Sequence, residues 1–213
     1  MQDIPVFTTE HGAAGLVLRE IPYKGVAYIT LHDTLSPEEL LQECVNFCKM
    51  AGAEHIYATG HPMLEQYPLH TALWKMSSPR AGLGQTDAVL RPVTADTAEN
   101  WRKLYNQRMA DVPNGATMTR SDLQKHLQAG TAWFVYLDEQ LLGIGIAADG
   151  KIDAVIALQK GAGEVTLLAL CSTLTTKYVE LEVASANVPA IRLYDRLGFQ
   201  KVAEISRWYT LLE

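Results

Sequence analysis

The chain predicts an α/β fold, a long mixed sheet with helices on both faces, preceded by a smaller α/β segment. Three observations carry this. Short β-rich apolar runs alternate with stretches of helical period. The helical stretches carry start signals, the clearest being Ser36-Pro37-Glu38-Glu39: serine as N-cap, proline at the first helical position, glutamate three after the cap. Finally, Ser77–Gln85 is polar, glycine-containing and aperiodic, which marks a linker between an N-terminal subdomain at 1–84 and a larger domain at 85–213.

In order, Gly15–Ile21 and Gly25–Leu31 read as strands of a hairpin turned at Pro22-Tyr-Lys24. The helix opened by Ser36 runs to Ala51, with Gly52 at its end, and His55–Ala58 and Thr71–Met76 are strands. Beyond the linker come strand Ala88–Val93, a helix from Asp96 and a second from Thr119, with Asp122 in its first turn. Trp133–Leu137 and Leu141–Ile146 form an antiparallel pair around Asp138-Glu-Gln140, and Ile152–Leu158 is the next strand. A helix opens at Gly161. Strand Tyr178–Val183, a helix at Pro189 and strands Lys201–Ile205 and Trp208–Leu212 complete the series. The first part, β-β-α-β-β, reads as an abbreviated copy of the second, β-α-α-β-β-β-α-β-α-β-β.

Of the 213 residues, 48% are hydrophobic and 20% charged, the proportions of a globular protein with a real core. The net charge is −6 and Lys and Arg nowhere form a block, which argues against nucleic acid or an anionic membrane as partner. No basic start followed by a long apolar run marks a secretory signal, and no apolar run is long enough to span a bilayer. Three cysteines, an odd and sparse set, point to reduced thiols and a cytoplasmic chain.

The most informative stretch is Asn187-Val-Pro-Ala-Ile-Arg-Leu-Tyr194-Asp-Arg-Leu-Gly198-Phe199. It reads as a turn with an amide side chain, a short helix, a glycine stop and a strand. Seven residues separate Asn187 from Tyr194, close to two helical turns, so the two are expected on one side. The pattern resembles the C-terminal motif of the GCN5-related N-acetyltransferase (GNAT) superfamily, as does the order of elements over about the last 130 residues. That resemblance implies a mostly antiparallel mixed sheet, acetyl-CoA as co-substrate, Asn187 beside the pantetheine arm and Tyr194 protonating the departing thiolate. It also implies two parallel strands that part, leaving backbone N–H groups near Ala157 or Leu158 for the oxyanion, beside a gap between Ile156 and Tyr194.

Backbone N–H groups at a helix N-terminus can replace the water that a pyrophosphate loses on binding. Gln159-Lys160-Gly161-Ala162-Gly163 lies between a strand and a helix, where glycines let phosphate approach and Lys160 adds charge. The family's loop begins with Arg or Gln three residues before its first glycine. Here that position is Leu158, and Gln159 falls one late.

Transfer to an amine needs a base, because an alkyl ammonium of pKa about 10.4 costs about 4.6 kcal/mol to deprotonate at pH 7. Asp153 is the first candidate and Glu182 the second. No Cys or Ser is paired with a His by spacing, so transfer is expected to be direct, within a ternary complex, onto a small-molecule or peptide amine. A non-catalytic module that binds acyl-CoA, or serves in regulation or assembly, is the rival. The N-terminal part has three roles open to it: a wall of the acceptor site, a homodimer surface, or padding. Cys44 and Cys48 read as core, His61 and His70 as loop residues, and no metal is expected. Arg120 and Tyr105 are expected to line the acceptor cleft, as the helix pair does in the family the chain resembles.

Overall fold

The computed structural model describes residues 5–212. Their contacts gather them into two units, one running up to Leu73 and resuming at Ile205, the other spanning Trp74–Glu204.

In the first unit β1 (Val6–Thr9), β2 (Gly12–Val17) and β3 (Val26–Thr34) form an antiparallel meander. A single helical turn, α1 (Ile21–Lys24), sits between β2 and β3. From β3 the chain crosses through α2 (Pro37–Met50) to β4 (His55–Thr59), which lies parallel to β3. The C-terminal end of β11 (Gln200–Leu212) pairs antiparallel with β4, Tyr209 facing Ala58. Leu40, Leu41, Cys44 and Cys48 on α2 are buried at helical spacing and meet Ala14, Leu16, Ala27, Ile29 and Ile56 of the strands.

The expected hairpin is present in its pairing but not in its turn. β2 stops at Val17, and Ile21–Lys24 closes a helical turn because Gly25 takes a left-handed φ of 68° and donates its amide to the Ile21 carbonyl. β1 had no expectation attached to it. The α2 start falls where the sequence puts it, yet the Ser36 side chain makes no cap bond, so the fixed φ of Pro37 carries the initiation.

The second unit holds β6 (Val89–Pro92), α3 (Ala98–Met109), α4 (Arg120–Ala129), β7 (Ala132–Leu137), β8 (Gln140–Ala148), β9 (Lys151–Ala157), α5 (Gly163–Cys171), β10 (Tyr178–Ala184) and α6 (Val188–Arg196). Its strands follow the order β10-β9-β8-β7-β6, with β5 (Leu69–Pro79) next to β10. β6 to β9 are antiparallel neighbours, whereas β9 and β10 run parallel. Alternation along the strands sends Phe134, Ile144 and Ile146 to a core under α3 and α4, and Val135 and Ala147 to another with α5 and α6. Helices therefore cover both faces of this mixed α/β sheet.

Two local readings change. Ser77–Pro79 continue β5, and Arg80 holds the following turn to the chain before β10 through the Thr176 and Lys177 carbonyls, so Ser77–Gln85 is not a free linker. The α3 helix begins after Thr97, about where it was expected. β11 is one strand of 13 residues where two were expected, because Ser206-Arg207 contains neither glycine nor proline to break it.

Candidate active site

β9 and β10 are in register at only two positions, Lys151 with Glu180 and Ile152 with Leu181. Beyond these the two parallel strands share no further paired residues. The Leu158 amide donates to the Leu142 carbonyl of the opposite neighbour at 2.9 Å. The Ile156 and Ala154 carbonyls face that same side, against Gly143 and Gly145 of β8. Strand alternation therefore turns the Ala157 N–H the other way, toward the side β10 has left. Of the two amides singled out from the sequence, Leu158 is engaged and Ala157 points into the opening.

Asp153 owes its position to a bulge. Ile152 pairs with Ala147 and Ala154 with Ile146, so Asp153 is an extra residue with no partner across the ladder. The bulge turns the strand over. Ile152 packs in the α5 core, while Ala154 and Ile156 pack under α3 and α4. Asp153 and Glu182 are brought together by one cation: the Lys151 Nζ lies 3.3 Å from Asp153 Oδ1 and 2.8 Å from Glu182 Oε1. Burial disfavours the Lys151 ammonium, but hydrogen bonding to Glu182 and the nearby Glu182 and Asp153 charges outweigh it and raise its pKa. His126, half-buried on α4 and hydrogen-bonded through Nδ1 with the Thr131 hydroxyl at 3.0 Å, feels the Asp153 charge; burial nonetheless lowers its pKa. Neither Lys151 nor His126 was singled out from the sequence, because the first lies across a bulge and the second arrives from a helix whose placement no motif gives.

Downstream of β9, Gly161 adopts φ +85°, a conformation suited to glycine, and a Cβ there would meet nothing within 4 Å. The Ala162 carbonyl accepts from the Thr166 amide, so the amides of Gly163, Glu164 and Val165 are the ones α5 leaves unpaired within the helix. No side chain caps this end. At Gly163 a Cβ would come 3.0 Å from Leu193 of α6, and its absence lets the two helices meet there. Gln159 faces inward, its Nε2 donating to the Leu141 carbonyl at 2.9 Å. Lys160 is exposed. Gly161 and Gly163 and the open amides form a cradle that suits a phosphate group; the donor set at this point is backbone, with Lys160 beside it.

The start of α6 is the opposite case. Asn187 lies outside the helix as its N-cap, and its Oδ1 accepts from the Ala190 amide at 3.3 Å. The two-turn alignment with Tyr194 therefore does not describe it, since Asn187 is not helical. Tyr194 is buried, its ring 5.9 Å from Phe199, among Leu167, Cys171 and Leu181. Burial, with the Cys171 side chain beside it, pushes its phenol up to about 12. Gly198 ends the helix at φ +82°.

On the α3–α4 side, Tyr105 is buried and stacked 5.3 Å from Trp101, whose Nε1 donates to the Trp133 carbonyl. Arg120 is exposed and pairs with Glu99, which the Arg102 guanidinium holds down at about 2. Cys44 and Cys48 are buried free thiols in the first unit. There too His61 caps a turn through the Met63 amide and His70 stacks on Tyr57. Among the described residues no cluster of three or more His, Cys, Asp or Glu is placed to hold a metal ion, and no helix is long and apolar enough to cross a membrane.

No family model matches the chain. It is 29% identical, over an alignment of 150 positions, to mycothiol acetyltransferase of Clavibacter michiganensis subsp. michiganensis, covering 58% of this chain and 47% of that protein. The chain thus spans about half the length of the curated relatives it matches. Among solved structures, a GCN5-related N-acetyltransferase from Sphaerobacter thermophilus superposes with a TM-score of 0.60 at 14% identity, covering 94% of this chain and 75% of that one. A tandem GNAT protein from the clavulanic acid biosynthesis pathway gives 0.55 at 14% identity, covering 94% and 78%. At such identity the structural likeness speaks for the fold alone. On that likeness this chain has the fold of the GCN5-related N-acetyltransferases, the superfamily its C-terminal motif resembles.

Proposed function

We propose that the chain is an acetyl-CoA-dependent N-acetyltransferase that transfers directly to a primary amine, on a small molecule or a peptide, within a ternary complex. The observation that carries this is the short β9–β10 register, which leaves the Ala157 N–H aimed into an opening between two strands, each followed by a helix. In this reading the amides of Gly161 and of Gly163 to Val165 hold the pyrophosphate, the Ala162 amide being taken by the Gln159 carbonyl, and the thioester carbonyl lies at Ala157. The pantetheine passes Asn187, whose Oδ1 is already committed to Ala190 and which therefore offers its Nδ2 hydrogens.

Asp153 or Glu182 receives the acceptor's proton. Lys151 occupies both, so the incoming ammonium competes with it, or a water relays the proton to an oxygen that Lys151 leaves open. Tyr194 is protonated at neutral pH, as a donor must be. Against a thiol of pKa about 8.5, a phenol pushed up to about 12 by burial is much the weaker acid and gives up its proton uphill. Donation therefore has to keep step with C–S cleavage and not precede it. The first unit is read as an abbreviated copy of the same core, and the chain as cytoplasmic.

A second reading, an acyl-CoA-binding or assembly module without turnover, is favoured by Lys151 closing over both candidate bases. Calorimetric titration with acetyl-CoA, joined to a thiol-release assay over an amine panel, separates the two. Binding with turnover on an amine supports the enzyme. Binding with none on any amine supports the module, and no binding sinks both acyl-CoA readings.

A further inference from the structure

We infer that Arg108, from the last turn of α3, supplies the guanidinium that the loop after β9 lacks, and grips the pyrophosphate of a coenzyme A thioester. This rests on the proposed acetyl-CoA reading and deepens it. In the loop pattern of the superfamily the chain resembles, the first position is a side chain with N–H donors; here it is Leu158, which packs with the α3–α4 core. Gln159, the nearest substitute, spends its amide on the Leu141 carbonyl. Arg108 reaches the same residue from 50 residues away, its Nη2 donating to the Leu158 carbonyl at 2.7 Å.

That bond uses one of five guanidinium N–H donors. Arg108 is exposed and, among the described residues, forms no ion pair with a carboxylate, unlike Arg102 and Arg120, which both close on Glu99. A diphosphate at the α5 terminus also meets an acid in the first turn, Glu164, which only a long 3.9 Å pair with Arg196 offsets. Lys160 alone is a single mobile charge. A planar fork held by the carbonyl that opens the loop adds a second charge already oriented, and bidentate contact to phosphate is the geometry a guanidinium favours.

The bland alternative is a strut tying α3 to the end of β9. Calorimetry with coenzyme A on wild type, Arg108→Ala and Arg108→Lys, at low and at high salt, tells them apart. The expected result is a Kd about 10- to 100-fold higher in Arg108→Ala, partly restored by lysine, with the gap narrowing as salt screens the contact. An unchanged Kd overturns the inference. So does a loss equally large at both salt concentrations, which is the mark of a strut. Failure of the wild type itself to bind coenzyme A overturns the acetyl-CoA reading and carries this inference with it.

Discussion

Each unit contains a strand, a crossing helix and a second strand parallel to the first, and the two crossings end differently. In the first unit β3 and β4 are in register over five consecutive pairs, Val26–Thr30 against His55–Thr59. In the second, β9 and β10 pair twice and then part. The helix starts differ in the same sense. Neither start has a side-chain cap, but α2 begins on Pro37, which has no N–H to leave open, whereas α5 begins on Gly163 behind Gly161 and keeps that amide. A closed parallel pair spends its backbone groups on the ladder and is a scaffold. An open one keeps donors in reserve, which a soluble protein tolerates only where water or a ligand can take them. The second unit is therefore the one to which the proposed chemistry is referred.

Amide hydrogen exchange is the most direct way to break it. The Ala157 amide should exchange about a thousandfold faster than those of Ala27 and Ile56, since local openings range from almost no cost up to global stability. Coenzyme A should slow Ala157 and leave the first unit unchanged. Equal protection at all three positions would mean that the gap is filled and the contrast false.

Next in size is Tyr194→Phe. Removal of a positioned proton donor should lower kcat about 100-fold while Kd for coenzyme A stays within about twofold. An unchanged rate would leave water as the donor and reduce Tyr194 to a packed ring.

How much of this could be read from residues alone follows from how local each signal is. The Asn187–Phe199 segment was legible because cap, helix, glycine stop and strand are set within a dozen residues. So was the glycine loop. The bulge at Asp153 was not, because register is decided by the partner strand and a one-residue excess leaves no mark in β9 itself. Lys151 is two residues from a candidate base in sequence, yet its reach to Glu182 depends on β10 lying beside it. Arg108 lies farther still from what it touches. Tyr105, expected in a cleft, is instead half of a buried aromatic stack with Trp101, four residues earlier on α3; that spacing was a readable sign of one helix face.

The two crossings also differ in how their helices meet the sheet. Under α2 the strands offer Ala14 and Ala27, which keep a Cβ. Under α5 the strand offers Gly143 and Gly145, where a Cβ would strike Thr166 and Leu170, whose positions are held by a full core. Gly145→Ala should therefore destabilise by about 2 kcal/mol, measured by denaturant unfolding, because overpacking forces Leu170 or α5 itself to move. A change within experimental error would show that α5 can lift from β8, and the open crossing would then be a mobile one.

The smallest effect concerns acid. His126 has its folded-state pKa lowered, chiefly by burial, against the opposing pull of Asp153 and Asp122, with Lys125 adding slightly to the lowering. The unfolded chain takes up that proton near pH 6.5 and the folded chain only at lower pH. Between those values the unfolded state binds more protons, so stability rises with pH there. The contribution is present in full above about pH 6.5 and is lost as pH falls through the folded value. His126→Gln should thus flatten the fall of the melting temperature between about pH 7.5 and pH 5 while preserving the bond to Thr131. If wild type and variant lose stability in parallel over that range, the imidazole is charging freely. Lys151, Asp153 and Glu182 are partly exposed in either case, so an acceptor ammonium meets them where solvent already weakens their charges.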